Sequence, residues 1–271
     1  MIQKELFTAC WQCLVTKSAE AKLDCVQQLV AHWQLRQLSL DHDVPCKQLA
    51  QAGIPEAVRL VHPSKVARRR LGSREGRIAL LHAVAHIEFS AINLALDAVY
   101  RFRNLPENYY SDWLRVAADE CYHFRLISGQ LKQLGASDGV LAAHNGLWEV
   151  AVYSAGDVLT RMALVPRVLE ARGLDVTPGM IRRVDDVGDH SFADILRIIF
   201  RDEVRHVRTG SQWFRYVCME RGLDSNISFD RILRKYMADL NANVSGPFQT
   251  EARIKAGFSE TEMDNLKHEA Y

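Results

Sequence analysis

Four long helical segments, each followed by a helix-breaking turn, limit what this chain can fold into. Helical periodicity predicts these segments over residues 73–103, 106–134, 147–172 and 189–221. The sequence shows no sustained period-two alternation and no Asn-Gly or Asp-Gly hairpin, so strands are not expected. The expected turns are Asn104-Leu105-Pro106, Gly135, Gly173 and Gly222. Four long helices with short links predict an all-α fold built on a four-helix bundle.

Shorter helical segments flank the predicted bundle and divide the chain into three parts. Residues 1–72 would form an N-terminal helical extension that ends in a basic connector. Residues 73–222 would form the four-helix bundle. Residues 223–271 would form a second helical extension at the C-terminus.

Capping residues and prolines refine these boundaries. Ser18 is expected to cap a helix of the N-terminal extension. Ser259 and Glu262 have the spacing of a capping box and would open the last helix. Thr177-Pro178 would start a short helix between the third and fourth long segments. Pro166 would kink the third long helix, because proline removes a main-chain hydrogen bond.

Composition excludes several classes of protein. The 271 residues are 48% apolar and 25% charged, which is typical of a globular chain. The net charge of +1 argues against a dedicated nucleic-acid binder. The first residues lack a basic stretch followed by an apolar run, and no stretch approaches about 18 uncharged apolar residues, so neither a signal peptide nor a membrane span is expected. Six scattered cysteines favour reduced thiols in the cytoplasm, with Cys10 and Cys13 as ordinary half-buried side chains.

The strongest functional signal is a D-E-x-x-H motif that occurs twice. Asp119-Glu120-Cys121-Tyr122-His123 lies within the second long helix, and Asp202-Glu203-Val204-Arg205-His206 lies within the fourth. Composition alone would give about 0.04 such matches. Residues i and i+3 of a helix project about 60° apart, so the glutamate and histidine of each motif can hold one ion together.

One further glutamate precedes each motif at nearly the same distance. Glu88 lies 32 residues before Glu120, and Glu170 lies 33 residues before Glu203. Each is a lone carboxylate among largely apolar neighbours, which is costly unless a cation or a proton compensates the charge. The repeated order E, E-x-x-H therefore predicts a dinuclear metal site.

Plainer interpretations of these residues stay open. Glutamate and histidine at i and i+3 are common on solvated helix faces. Arg167 or Arg172 could neutralise the lone glutamates through an ion pair. If such contacts explain the pattern, the protein is a metal-free helical interaction protein.

Two further groups of residues are candidates for a binding role. His82 and His86 share one face of the first long helix and would make interhelical hydrogen bonds or line a pocket, to which Trp148 could also contribute. Arg68, Arg69 and Arg70 belong to a basic run over residues 65–77. This run would form a solvated face or contact an anionic substrate such as RNA.

The constellation resembles the ferritin-like superfamily of di-iron carboxylate proteins. The segments at 81–88, 163–175 and 246–253 look like those of a bacterial ferritin-like family known as a domain of unknown function. The resemblance implies that Glu120 and Glu203 are bridging ligands and that Glu88 and Glu170 are terminal ligands. It also implies one histidine per metal, His123 for one and His206 for the other. Asp119 and Asp202 would accept a hydrogen bond from the second ring nitrogen of a histidine.

The resemblance implies a cytoplasmic oxidoreductase that uses O₂ or peroxide to hydroxylate or oxidise an organic substrate. Two iron ions are expected, with Mn/Fe or Mn/Mn as alternatives, because oxygen and nitrogen ligands without thiolate suit these metals. An oxygenase would also need an electron-donor protein. If RNA is the substrate, the protein would resemble a tRNA hydroxylase. The alternative is a non-enzymatic iron-handling protein.

Overall fold

The computed structural model describes residues 5–41, 45–62, 65, 70–136, 142–240 and 243–268. Across these residues the regular secondary structure is helical, and strands are absent apart from isolated bridges between Glu5 and Ser39 and between Leu60 and Ala143. The predicted all-α fold class is confirmed.

The chain divides into two compact units, Met1–Val152 and Tyr153–Tyr271. The division into residues 1–72, 73–222 and 223–271 stays a prediction. The helices of the first unit are α1 (Leu6–Val15), α2 (Ala19–Gln34), α3 (Arg74–Arg101), α4 (Glu107–Gln133) and α5 (Gly146–Tyr153).

In the first unit, α3 and α4 form a hairpin and pack along their length. The short link that contains Asn104, with φ of 63°, turns the chain as predicted. Every residue from 91 to 100 is buried, because α1 and α4 both pack on α3. Ser18 caps α2 as predicted, since its hydroxyl accepts a hydrogen bond from the Ala21 amide at 3.4 Å.

Helix α3 is long and apolar enough to span a membrane by length and composition. In the structure 61% of the 18-residue apolar stretch of this helix is buried, which fits the core helix of a soluble protein. A cytoplasmic location stays a prediction.

The cysteines differ from expectation in two ways. Cys13 and Cys25 form a disulfide between α1 and α2, so the expectation of reduced thiols is wrong for this pair. Cys10 and Cys13 are fully buried rather than half-buried. The reason is that α1 lies in the core, where the face carrying these side chains packs against its neighbours.

The second unit is built around a long helix, α8. Its helices are α6 (Val158–Leu164), α7 (Ala171–Asp186), α8 (His190–Glu220), α9 (Ser225–Leu240), α10 (Thr250–Lys255) and α11 (Glu260–His268), with a π-helical segment at Val165–Glu170. Asp189 caps α8 through the Phe192 amide. The predicted capping box is present, since Ser259 and Glu262 exchange hydrogen bonds of 3.0 and 2.8 Å at the start of α11.

The third predicted long helix is wrong in its boundaries. The chain breaks after α5, and Asp157 starts α6 by accepting hydrogen bonds from Thr160. From there the helical path runs through Gly173 and Thr177-Pro178 to Asp186, without the expected cap or the new start. Burial of Leu174 and Thr177 in α7 accounts for this, because packing outweighs the local preference of single residues.

Candidate metal centre

In the first unit the α3–α4 hairpin brings together Glu88, Glu120 and His123. Each residue offers one ligand atom, and these atoms lie within 4.8 Å of one another. Glu120 and His123 are fully buried, and Glu88 is 4% exposed. The i, i+3 spacing places Glu120 and His123 on one face of α4. The short link between α3 and α4 brings these two residues to the level of Glu88 on α3. This buried cluster could bind a metal ion.

The electrostatics of this cluster favour a positive charge. His123 Nδ1 lies 3.1 Å from Glu88 Oε2 and 3.4 Å from Glu120 Oε2. Burial lowers the pKa of His123, but hydrogen bonds and charge from Glu120 and Glu88 outweigh burial and raise it to about 11. Two buried carboxylates thus draw a proton onto the imidazole. A divalent cation would compensate the same negative charge more fully.

In the second unit Glu203 and His206 lie on one face of α8. His206 Nδ1 is 3.4 Å from Glu203 Oε1, and the two side chains are 0% and 12% exposed. Glu170 ends the π-helical segment, which packs against α8. The same types of ligand, a histidine with two glutamates, therefore occur on packed elements of this unit as well.

The predicted kink at Pro166 takes the form of this π-helical segment. Proline has no amide hydrogen, so the turn preceding it cannot close in the α pattern. Pro166 packs against Gly210 of α8, where an added Cβ would lie 2.2 Å from both Cβ and Cγ of the proline ring. Gly210 lies one turn after His206, so the segment approaches α8 close to the candidate ligands.

The contacts of Arg167 and Arg172 do not support the interpretation that one of them neutralises Glu170 through an ion pair. Arg167 Nη2 bonds to Glu262 Oε2 at 2.7 Å. Arg172 Nη1 bonds to the Ser245 carbonyl at 3.0 Å and lies 3.8 Å from Asp175. The two cations nearest in sequence to Glu170 are thus engaged elsewhere.

The two motif aspartates have different surroundings. Asp119 is half-buried on α4. Asp202 is 4% exposed and pairs with Arg201 at 3.0 and 3.1 Å and with Arg205 at 3.4 Å. The expected role of both as hydrogen-bond acceptors for a histidine stays a prediction.

His82 and His86 line one cavity of the first unit, together with Pro55, Val58, Ala85, Phe89 and Phe124. His86 Nε2 also lies 3.0 Å from the His144 carbonyl, which fits the expected hydrogen bond. Burial lowers the pKa of His86, so its imidazole favours the neutral form. Trp148 is buried, donates to the Ala50 carbonyl and is not among the residues that line this cavity.

The basic run is described in part. Arg68 and Arg69 lie outside the described residues, and Arg70 is exposed. An anionic contact by this run stays a prediction.

Sequence reasoning did not predict the burial of several cationic side chains. Among them, Lys22 is fully buried in the first unit, and Arg167 is 1% exposed in the second. Their partners are remote in sequence, so spacing along a helix gives no signal for them. Arg167 lies within the segment that carries Glu170, so it bears on the site.

The fold and the site define a class: an all-α protein with buried glutamate and histidine side chains that could hold a metal ion. Residues 15–264 match the family described as "Protein of unknown function (DUF455)", and the chain belongs to this family. An "Uncharacterized protein" of Haemophilus influenzae is 46% identical over 220 residues, which cover 79% of this chain and 75% of that protein. No solved structure matches the chain.

Proposed function

We propose that the protein is a dinuclear metal oxidoreductase of the ferritin-like type. The observation that carries this proposal is the repetition, in each unit, of one glutamate and one E-x-x-H pair. Together the two sets supply the four glutamates and two histidines of a di-metal carboxylate site: Glu88, Glu120, His123, Glu170, Glu203 and His206.

The donor atoms fit iron or manganese. All six side chains offer oxygen or nitrogen and none offers a thiolate, which disfavours a structural zinc site. Four carboxylates balance the charge of two divalent ions. The burial of Glu120, His123 and His206 supports an internal site, since such groups are costly to bury without compensation.

The chain's own residues would hold the metals in distinct ways. Glu120 and Glu203 would bridge, Glu88 and Glu170 would bind at the ends, and each histidine would give one nitrogen. Bound in the reduced state, iron would supply electrons to O₂ or peroxide for the hydroxylation or oxidation of an organic substrate. The cavity beside His82 and His86 lies on α3, which also carries Glu88, and its volume of about 20 Å³ has room for a molecule the size of water or O₂.

The decisive experiment is metal analysis by mass spectrometry of protein purified without added metal. About two Fe or Mn per chain are expected. The Glu120→Ala/Glu203→Ala variant should lose them. A matched control, Glu56→Ala/Glu251→Ala, also removes one carboxylate from each unit, but from side chains that are 83% and 84% exposed, and should keep both metals. Absence of metal from the parent, even after anaerobic iron loading, would contradict the proposal.

A non-enzymatic iron-handling role is the alternative, and the same protein tests it. Uptake of more than two irons per chain, or iron oxidation that no organic compound alters, would favour it. Oxygen consumption coupled to a substrate would favour the enzyme. We retain RNA as one candidate substrate because of the basic run. Loss of tRNA retention in an Arg68→Ala/Arg69→Ala/Arg70→Ala variant would support it, and unchanged retention in this variant, or none in the parent, would exclude it.

A further inference from the structure

Arg167 is a buried cation in the π-helical segment, and the C-terminal part of the second unit encloses it. Its Nη2 donates to Glu262 Oε2 of α11 at 2.7 Å, and the two side chains are 1% and 5% exposed. Three aromatic rings surround the guanidinium, with centroids at 4.7, 4.2 and 4.5 Å from Cζ; they belong to Phe214, Phe229 and Phe258.

The guanidinium is held more by packing against aromatic rings than by hydrogen bonds. Within the described part of the chain, Nε and Nη1 of Arg167 have no hydrogen-bond partner. The ring faces take that place through cation–π attraction, which is stronger where water is excluded. A buried ion pair gives little net stability compared with apolar side chains of similar size. The main effect of this ion pair is therefore on the position of the segment that carries Arg167.

The position that Arg167 imposes is that of Glu170. Both belong to the segment Val165–Glu170, three residues apart. Pro166 fixes the segment on one side by its contact with Gly210 of α8. Arg167 fixes it on another side through Glu262 of α11, which the capping box with Ser259 holds in place. The width of the π turn sets the direction in which Glu170 projects, so the two anchors together determine it.

We propose that Arg167 and Glu262 are positioning residues that orient Glu170 for metal binding. This inference rests on the proposed dinuclear function. It gives α9 and α11 a role at the site, because Phe229 and Glu262 hold the arginine. Arg167 itself contacts no metal and acts through Glu170.

The test compares Arg167→Met with Glu170→Ala, with Co²⁺ as the probe. Bound Co²⁺ is counted by equilibrium dialysis, and its visible spectrum reports the coordination geometry. We expect Arg167→Met to change the spectrum and lower the Co²⁺ content to the level of Glu170→Ala. The combined variant should bind no less Co²⁺ than Glu170→Ala alone, because both changes remove the same ligand.

A matched control separates positioning from general destabilisation. Arg253 is also buried, bonds to Asp175 at 3.0 and 2.7 Å and lies over Phe258, but it does not contact the π-helical segment through an ion pair. Arg253→Met should lower the unfolding temperature and leave the Co²⁺ spectrum of the parent. Arg167→Lys, which keeps the charge, should restore part of the parent spectrum. If Arg167→Met does not fold, Glu262→Gln replaces it and should shift the spectrum in the same direction.

The outcomes are distinguishable. A parent protein that binds no Co²⁺ overturns the proposed function and this inference with it. A parent that binds Co²⁺ while Arg167→Met keeps its content and spectrum overturns the inference alone. Equal spectral changes in Arg167→Met and Arg253→Met would likewise overturn it, since the effect would then come from general loosening.

Discussion

Lys22 is a buried ammonium group whose hydrogen bonds connect three parts of the first unit. Its Nζ donates to the Leu14 carbonyl at 3.1 Å, to the Gly53 carbonyl at 2.8 Å and to Asn93 Oδ1. It also lies 5.2 Å from the ring centroid of Phe89. An ammonium has three hydrogens, so its donors match these three acceptors. Lys22 therefore joins the end of α1, the connector and α3.

Replacement of Lys22 by Met should destabilise the first unit. The substitution leaves three buried oxygens without their donor, and a loss of about 2–4 kcal/mol in the free energy of unfolding is expected at pH 6, where Lys22 carries all three hydrogens. Lys17→Met is the control, because Lys17 is 66% exposed and should change the free energy by less than about 0.5 kcal/mol. Urea denaturation measures both. Equal stability of the two variants would contradict the role assigned to Lys22.

The stability contributed by Lys22 should depend on pH in a defined direction. Burial lowers its pKa from 10.5 to about 7, so the folded protein loses this proton at a lower pH than the unfolded chain. The unfolded state therefore binds more protons between these values, and the free energy of unfolding rises with pH by up to about 1.4 kcal/mol per unit. The difference between the parent and Lys22→Met should widen from pH 7 to 9.5. A constant difference across this range would contradict the lowered pKa.

At the scale of secondary structure, the contact between the π-helical segment and α8 depends on a glycine. Gly210→Ala would place a methyl group 2.2 Å from the Pro166 ring. The strain should exceed the gain in helix propensity and lower the free energy of unfolding by about 1–2 kcal/mol. Gly173→Ala is the control, because among the described residues no atom beyond the adjacent residues and the backbone of the same helix lies within 4 Å of the added carbon.

This control also tests the course of the third helix. If Gly173 lies inside α7, alanine should raise stability by about 0.5–1 kcal/mol. A loss of stability would instead indicate the left-handed cap expected from the sequence. Thermal denaturation of Gly210→Ala, Gly173→Ala and the parent decides both points. A Gly210→Ala change that costs no stability in a Pro166→Gly background, which lacks both ring carbons at 2.2 Å, would show that the proline ring causes the strain.

The helices that sequence alone could locate are those with unambiguous ends. The turn at Asn104, and the glycines at 135 and 222 with φ of 66° and 62°, end helices near the predicted residues. Gly173 is also a residue typical of a helix end, but it lies within α7. Packing of this helix outweighs the preference of Gly173 to end a helix and that of Pro178 to start one. The kink at Pro166 was predictable, whereas its π-helical form depends on contact with α8, 44 residues later.

The same distinction applies to the site. The separation of Glu120 from His123 follows from helical geometry, and the structure places their nearest atoms 3.4 Å apart. The contact of Glu88 with His123 required only the length of the hairpin. The Arg167–Glu262 pair spans 95 residues, and the partners of Lys22 lie up to 71 residues away. No periodicity connects residues so far apart, so these contacts required the tertiary structure.

For the whole molecule, the family match and the charge limit where function resides. The family match spans residues 15–264, so the matched region covers parts of both units and the candidate ligands of each. The net charge of +1 gives no general attraction for polyanions. Any binding of RNA would have to come from a local feature such as the basic run, and would weaken steeply with salt.

Metal binding should stabilise both units if each supplies ligands to the proposed site. A ligand at about 100 times its dissociation constant adds about 2.7 kcal/mol, which slows exchange through global opening about 100-fold. Hydrogen exchange with anaerobic Fe²⁺ should therefore show slower exchange in peptides from α3 and α4 of the first unit and from α8 of the second. The Glu120→Ala/Glu203→Ala variant should show no change, and Glu56→Ala/Glu251→Ala should respond like the parent. Slower exchange confined to one unit would contradict a site that draws on both ligand sets, because the unaffected set would then contribute nothing to binding.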